Sequence, residues 1–335
     1  MPIHESDIVW RPASLVSDTL ATQNGGRMAY ATIVSGVKNN LFGDISQAER
    51  TAGSVRRRKA FIHINSSQDI ALMSARLFLD ALTPAADYVT FSVGTPTDTE
   101  DQIAGRDYGI GTLYAPAAAG DSQIQVVCEH NGDYATLQPF QTDDTLRVAD
   151  RAVTGGSGNE EFVAILAVTY GPDYATIEFE PALAFAYGTA NTLVSAVCEI
   201  AEVAGGLSNI IVTSAAGTLT TTGGNLTAHN RGAIADQWTI SFTSPTAFTV
   251  AGVVTGALAT AGSRSADYSP LNPATGTAFF TLKSAAFGGT WAADDTVSFE
   301  TAPAAIPVWY RRRVPAGSGS FANDFCSLAI VGESA

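Results

Sequence analysis

Charge is scarce in this chain. Only 15% of its 335 residues are Asp, Glu, Lys or Arg, well under the roughly 25% usual in soluble domains. Much of the outer surface must then be Thr, Ser, Asn, Gln and Gly, or be covered by other chains. Lysine is almost missing: Lys38, Lys59 and Lys283 are the only three, so arginine carries the positive charge. Arginine is the cation suited to packed, desolvated interfaces. Cys128, Cys198 and Cys326 are isolated, odd in number and set in apolar stretches, which reads as buried free thiols without metal spacing. The four histidines, His4, His63, His130 and His229, are scattered. No run of about 18 apolar residues exists, so no membrane span is expected. Met1-Pro2-Ile3-His4-Glu5-Ser6-Asp7 has neither a basic start nor an apolar h-region, which argues against a signal peptide and for synthesis in the cytoplasm.

Catalytic signatures are missing as well. There is no Walker loop, no dinucleotide fingerprint and no Gly-x-Ser-x-Gly elbow. Gly317-Ser318-Gly319-Ser320 is linker composition. The expectation is a non-enzymatic protein with no cofactor and no metal. Acidic residues outnumber basic ones 32 to 18, for a net charge of −14. That disfavours nucleic acid, which wants a basic face, and favours solubility with mutual repulsion unless specific contacts hold copies together.

What is present is β-pattern. The length calls for two or three domains. The stretch Arg56–Thr95 holds three apolar runs, Lys59–Ile64, Ile70–Leu79 and Tyr88–Val93, with turn residues between them. The second alternates with period two, so the three read as strands of an antiparallel meander that needs another layer over its apolar face. Before it, Ile8–Arg11 is a short strand closed by Pro12, and Met28–Val34 is another. A single short helix starts at Asp44, with Gln47 completing a capping box, and ends at Gly53.

From about Gly109 the texture changes to short strands between Gly/Asp/Asn turns: Gln123–Glu129, Thr145–Val148, Glu161–Val168 and Ala175–Phe179. This spacing suggests a small barrel. Asp-Tyr-Ala-Thr, at 133–136 and again at 173–176, reads as hairpin chemistry. Thr192–Val203 is a long alternating strand that returns to the first domain or bridges to the next. Gly205-Gly206 opens a Thr/Ser/Gly/Asn-rich region with strands at Asn209–Thr213, Gln237–Ser241, Ala247–Val254, Thr277–Leu282 and Thr296–Glu300, which fits an immunoglobulin-like sandwich without a disulfide. Pro307–Pro315 and Phe325–Val331 resemble the opening strands and are expected to pair with them. The fold class is therefore all-β: a discontinuous β-sandwich core (residues 1–108 with 305–335), an inserted small β-barrel (109–204), an inserted immunoglobulin-like β-sandwich (205–304), and one short helix.

Three features invite a functional reading. Phe140-x-x-Asp143-Asp144-Thr145 and Trp291-x-x-Asp294-Asp295-Thr296 share one pattern. A carboxylate pair suits acid–base work or calcium, but a calcium loop needs several spaced oxygens and a fixed Gly. The pattern reads as a turn into a strand whose start the aromatic covers. Arg56, Arg57, Arg58 and Lys59, with Arg311, Arg312 and Arg313, gather seven of the eighteen positive charges at two places. They form a candidate interface for an acidic face of a neighbouring copy or partner; the competing reading is solvated charge that blocks edge pairing. Trp238, Tyr268 and Trp291 are candidates for stacking on cell-surface glycan, against the competing reading that they are core.

Ile8-Val9-Trp10-Arg11-Pro12-Ala13-Ser14, Asn24-Gly25-Gly26-Arg27 and Gln47-Ala48-Glu49-Arg50-x-x-Gly53 resemble the start of structural proteins from tailed-bacteriophage and prophage gene clusters. Arg58-Lys59-Ala60-Phe61-Ile62, Gly288-Gly289-Thr290-Trp291 and Pro307-Val308-Trp309…Val314-Pro315-Ala316-Gly317 continue that likeness. The resemblance implies a virion structural protein, a tail or baseplate component. It would be made in the host bacterial cytoplasm, with copies of itself and other virion proteins as partners and no catalytic residues. The alternatives are a tail-tube or capsid-decoration protein and, from another class, a glycan-binding receptor module.

Overall fold

The computed structural model describes residues 2–128, 134–151 and 156–335. His130 and Asp133, the first residue of the earlier Asp-Tyr-Ala-Thr, lie outside the described residues. The opening segment contributes β1 (Ile8–Leu15), β2 (Gly25–Met28), the six-residue helix α1 (Gln47–Ala52), β3 (Ser54–Ile64), β4 (Leu72–Ala81) and β5 (Tyr88–Val93). Next come β6 (Ile110–Leu113), β7 (Gln123–Cys128), the single turn α2 (Tyr134–Leu137), β8 (Thr145–Ala149), β9 (Glu160–Tyr170), β10 (Ala175–Glu180) and β11 (Leu193–Val203). The third stretch holds β12 (Gly206–Thr213), β13 (Gly217–Leu219), β14 (Leu226–Ala228), β15 (Asp236–Phe242), β16 (Ala247–Gly252), β17 (Gly256–Ala257), β18 (Gly262–Ser263), β19 (Phe280–Leu282), β20 (Phe287–Gly289) and β21 (Thr296–Ala302). The chain closes with β22 (Ala305–Val314) and β23 (Ser327–Ser334).

The first unit is a sandwich. One sheet runs in the order β2-β1-β3-β22-β5, and the other begins β23-β4-β11. Strands from residues 305–335 thus lie inside the sheets begun by the N-terminal segment. Ile62, Ile64, Phe91 and Val308 of the first sheet pack against Leu72, Ala75, Leu77 and Leu79 of the second. Each buried Val, Leu, Ile or Phe side chain among them contributes about 1.5–3 kcal/mol. The expected meander is not what forms: β3 and β4 belong to different sheets, and β5 pairs with β22 rather than β4. A meander would leave one apolar face of all three strands uncovered. Alternating them between two layers buries those faces on each other. The regular alternation of β4 also breaks at Ser74, whose φ of +49° puts Leu72 and Ala75 on the same side.

Two local expectations shift. The helix is capped by Ser46, not Asp44: Ser46 Oγ accepts from the Glu49 N–H, and Glu49 accepts from the Ser46 N–H at 2.8 Å. Asp44 instead pairs with Lys38. Gly53 ends the helix at φ +79°. The strand expected at Met28–Val34 sits earlier, at Gly25–Met28, where it pairs with β1 across a bulge.

Strands β11-β6-β7-β10-β9-β8 form the second unit, and pairing of β8 with β11 closes them into a six-stranded barrel. Alternation is clean on β10, where Ala175, Ile177 and Phe179 point inward and Glu178 and Glu180 outward. Closure removes every sheet edge from the barrel. Strand β11 serves two units. Leu193–Val197 closes the barrel against β8, and Cys198–Val203 pairs with β4 of the sandwich. The β4–barrel contact is filled by Phe78, edge-on to Phe162 at 5.9 Å and under the Arg147 guanidinium at 4.5 Å.

The third unit packs a sheet, β12-β21-β15-β16-β17, over the short ribbons β13–β20 and β14–β19. Its core is aromatic: Trp238, Phe242, Phe248, Phe280, Trp291 and Phe299 are all buried. Trp291 stacks on Phe242 at 4.4 Å. The repeated aromatic-x-x-Asp-Asp-Thr pattern makes the same turn in the barrel and here. Asp143 and Asp294 take positive φ (70° and 73°) and donate their N–H across to Ile165 and Phe242. Asp144 and Asp295 accept the N–H three residues back, from Gln141 and Ala292. Phe140 and Trp291 are buried beneath.

A polar joint fixes the third unit to the first. Asn230 donates its N–H to Asp69 at 2.8 Å and its amide to the Ile70 carbonyl at 2.9 Å, while Arg231 donates to the Asn65 carbonyl. His229 bridges Asp69 (2.6 Å) and the Thr281 hydroxyl (2.8 Å), and that hydroxyl is shared with Ser269. His63 lies fully buried beneath. Arg11 Nε donates to its Nδ1 at 2.8 Å, so Nε2 carries the proton and donates to the Asn230 carbonyl at 2.7 Å. The ring is thus held neutral. Burial foremost, then the nearby Arg11 and Arg231 charges, hold its pKa down at about 4 against the usual 6.5. The unfolded chain takes up this proton near pH 6.5 and the folded chain only near 4. The contribution is therefore complete above about pH 6.5 and lost as pH falls through that window, by roughly 3 kcal/mol in all. Urea unfolding at pH 7 and 4.5 should show this loss, and His63→Gln should flatten the slope.

Candidate assembly surface

Strands β3 and β22 run antiparallel in a register that sets Arg57 opposite Arg311, Arg56 opposite Arg312, and Lys59 opposite Trp309. The two basic runs, far apart in sequence, therefore become neighbours in the first sheet. The two-residue period of a strand then divides them between its faces.

On the inner face, Arg58 and Arg312 both lie over the Phe42 ring, at 6.0 and 4.6 Å. Arg56 pairs with Glu49 at 2.6 Å and with Asp18 at 3.3 Å; Arg58 also reaches Asp18. Arg312 donates to the Gly43 carbonyl at 3.1 Å and stands 4.0 Å from Asp87. Burial lowers the Arg312 pKa, and the Asp87 charge opposes that shift. On the outer face Lys59 is buried with all three protons used, on Asp98 Oδ1 (2.6 Å), the Gly26 carbonyl (2.7 Å) and the Asp98 carbonyl (3.0 Å). Burial lowers its pKa, and Asp98 opposes the shift. Gly25, at φ +108°, lets the chain pass this cluster; a Cβ there would stand 2.5 Å from the Trp309 ring.

Four of the seven proposed interface cations, Arg56, Arg58, Lys59 and Arg312, are thus engaged inside the chain, which corrects the expectation that all seven form a docking face. The acids that neutralise them come from distant loops that the basic runs themselves did not indicate. Arg57, Arg311 and Arg313 remain on the outer face, partly exposed. Arg311 and Arg313 both lie by the Tyr88 hydroxyl, which Arg313 approaches to 3.4 Å. Arg57 has no carboxylate partner among the described residues and faces Arg311 directly across the ladder. Like charges so placed are destabilising.

The glycan-stacking candidates are also corrected. Trp238, Tyr268 and Trp291 are 0%, 5% and 1% exposed. The Trp238 indole N–H donates to Thr301, that of Trp291 to the Gly288 carbonyl, and the Tyr268 hydroxyl to the Thr260 carbonyl. Their large apolar faces close the core of the third unit and leave none to stack on a sugar.

One exposed surface lay outside the residues singled out from the sequence. β12 is an outer strand of its sheet, and Ile210, Ile211 and Val212 on it are 37%, 59% and 36% exposed. Its signal was three consecutive apolar residues that do not alternate, within the strand expected at Asn209–Thr213.

Among the described residues no helix is long and apolar enough to cross a membrane, and no three His, Cys, Asp or Glu side chains gather as a metal site. No protein-family model, characterised protein or solved structure matches the chain.

Proposed function

We propose that this chain is a non-enzymatic structural protein that assembles with copies of itself and with other proteins of a tailed-bacteriophage particle, in the tail or baseplate. The observation that carries the reading is the outer-face cluster Arg57, Arg311 and Arg313 on a chain of net charge −14. Arg57, with no carboxylate partner among the described residues, suits an acidic surface, and every further copy brings net negative charge. The uncovered apolar strand β12 and the low overall charge point the same way. The particle and its phage origin rest on the likeness of the N-terminal and C-terminal motifs to tailed-phage structural proteins. Tail tube and capsid decoration are other positions for the same kind of protein. The glycan-binding alternative has lost its stacking residues to the core.

Negative-stain imaging of the purified chain tests the reading. Rings, tubes or other closed assemblies of defined size support it. A stable monomer that binds cell-surface glycan overturns it.

A further inference from the structure

The negative charge of this chain is not spread evenly. Residues 109–204 hold 13 acids and two cations, Arg147 and Arg151, so the barrel segment carries 11 of the 14 net negative charges. Both cations are spent on one carboxylate, that of Glu160. On the outside of the barrel, Glu178 and Glu180 are exposed and stand two residues apart on β10, which sets them on one face about 7 Å apart. Among the strands of the described residues they are the one pair of acids so spaced. Glu178 accepts the Gln123 amide at 3.2 Å, a neutral donor that leaves its charge in place, and neither acid has a cation partner among the described residues.

The two glutamates border a groove of about 340 Å³, which Gln123 and Leu166 also line. Leu166 is 50% exposed because the β9–β10 register skips it: Glu178 faces Ala167, and Phe179 faces Ile165. The bulge turns an apolar side chain out beside two carboxylates. The outer face of the first sheet offers the counterpart. Arg311 and Arg313 are also two residues apart on one face of β22, so their spacing along the strand equals that of the glutamates. Arg57 lies opposite Arg311, and Val55, 51% exposed, lies opposite Arg313. Each patch thus sets two like charges at one strand spacing with an exposed apolar residue nearby, and the signs are opposite.

We propose that the Glu178–Glu180 groove of the barrel is the seat for the outer basic face of a second copy of this chain, with Arg311 and Arg313 set against the two glutamates. Complementary charge supplies the register, and Leu166 and Val55 supply apolar contact beside it. The two patches are different surfaces on different units, so the contact is head-to-tail and every copy gives one face and one groove. Contacts of this kind close rings or extend filaments, depending on the rotation between copies. The inference rests on the self-assembly reading above and names the surface that receives the basic face.

Charge reversal and mixing test it in the full-length chain. By mass photometry, Glu178→Arg/Glu180→Arg is expected to lose assembly at least about tenfold, and so is Arg311→Glu/Arg313→Glu, because each sets like charges against each other. All four positions are at least partly exposed, and an unchanged urea unfolding midpoint shows that each variant is folded. The neutral Glu178→Gln/Glu180→Gln is a milder second variant, expected to lose assembly to a smaller degree. Mixed one to one, the two reversed variants are expected to recover assembly: the natural face of one meets the natural groove of the other, and the two reversed surfaces are again opposite in sign. Groove reversal that leaves assembly unchanged, or a mixture that does not recover it, would overturn the groove and leave the self-assembly reading standing. A natural chain that stays monomeric at every concentration would overturn both.

Discussion

Asp98→Ala is expected to destabilise the first unit by about 3–5 kcal/mol, the usual cost of leaving one partner of a buried ion pair alone. Lys59 is wholly enclosed as a side chain, and Asp98 is its only ionic partner among the described residues. The same carboxylate accepts the Trp309 indole N–H at 2.8 Å and the Thr95 N–H at 3.0 Å. The mutation therefore strands an ammonium, an indole donor and a backbone donor together. Asp98→Asn keeps an acceptor and is expected to lose less. The double variant Lys59→Met/Asp98→Ala removes both charges, and its loss should be smaller than the sum of the single losses. Chemical denaturation followed by tryptophan fluorescence measures this, because Trp10 and Trp309 report on the first unit while Trp238 and Trp291 report on the third. Full additivity would show that the pair is not the coupled element described above.

Trp238→Ala is expected to cost a similar 3–5 kcal/mol, confined to the third unit. The ring is completely buried, lies 5.1 Å from Phe279 and 5.2 Å from Phe280, and donates to Thr301 at 2.9 Å. No neighbouring strand can fill the gap, because the surrounding rings are fixed on paired strands. The expected sign is early unfolding of the third unit in urea, with the β3–β22 sheet unchanged. A variant that kept its stability but lost binding to a glycan would instead place this tryptophan on the surface.

Much of this architecture could be read from the residues, and the exceptions have physical reasons. The barrel strands β7, β8, β9 and β10 were visible because each is a short apolar segment between Gly/Asp/Asn turns. The return of the C-terminal strands to the opening sheets was visible in texture. Which sheet each strand joined was not. Period two says which face of a strand is apolar, and nothing about which partner will cover it; so β3, β4 and β5 read as neighbours although they alternate between layers. The arginine runs were obvious as runs. Their division was hidden because it depends on acids brought from elsewhere: Asp18, Glu49 and Asp87 to the inner face, Asp98 to the outer. Trp238 and Trp291 were legible as aromatics of a Thr/Gly-rich domain. Only the sheet β12-β21-β15-β16-β17 shows that they point inward.

The central claim is that copies of this chain associate through the outer basic face. Mass photometry of the purified protein at low and high salt, beside Arg57→Glu/Arg311→Glu, tests it most directly. The account predicts a discrete oligomer for the natural sequence, weakened by salt, and at least a roughly tenfold loss of assembly on reversing two charges of an acidic-partner contact. Both positions are partly exposed, and an unchanged urea unfolding midpoint for the variant shows that it remains folded. A natural chain that is monomeric at all concentrations and salts, or an oligomer indifferent to the charge reversal, would contradict it.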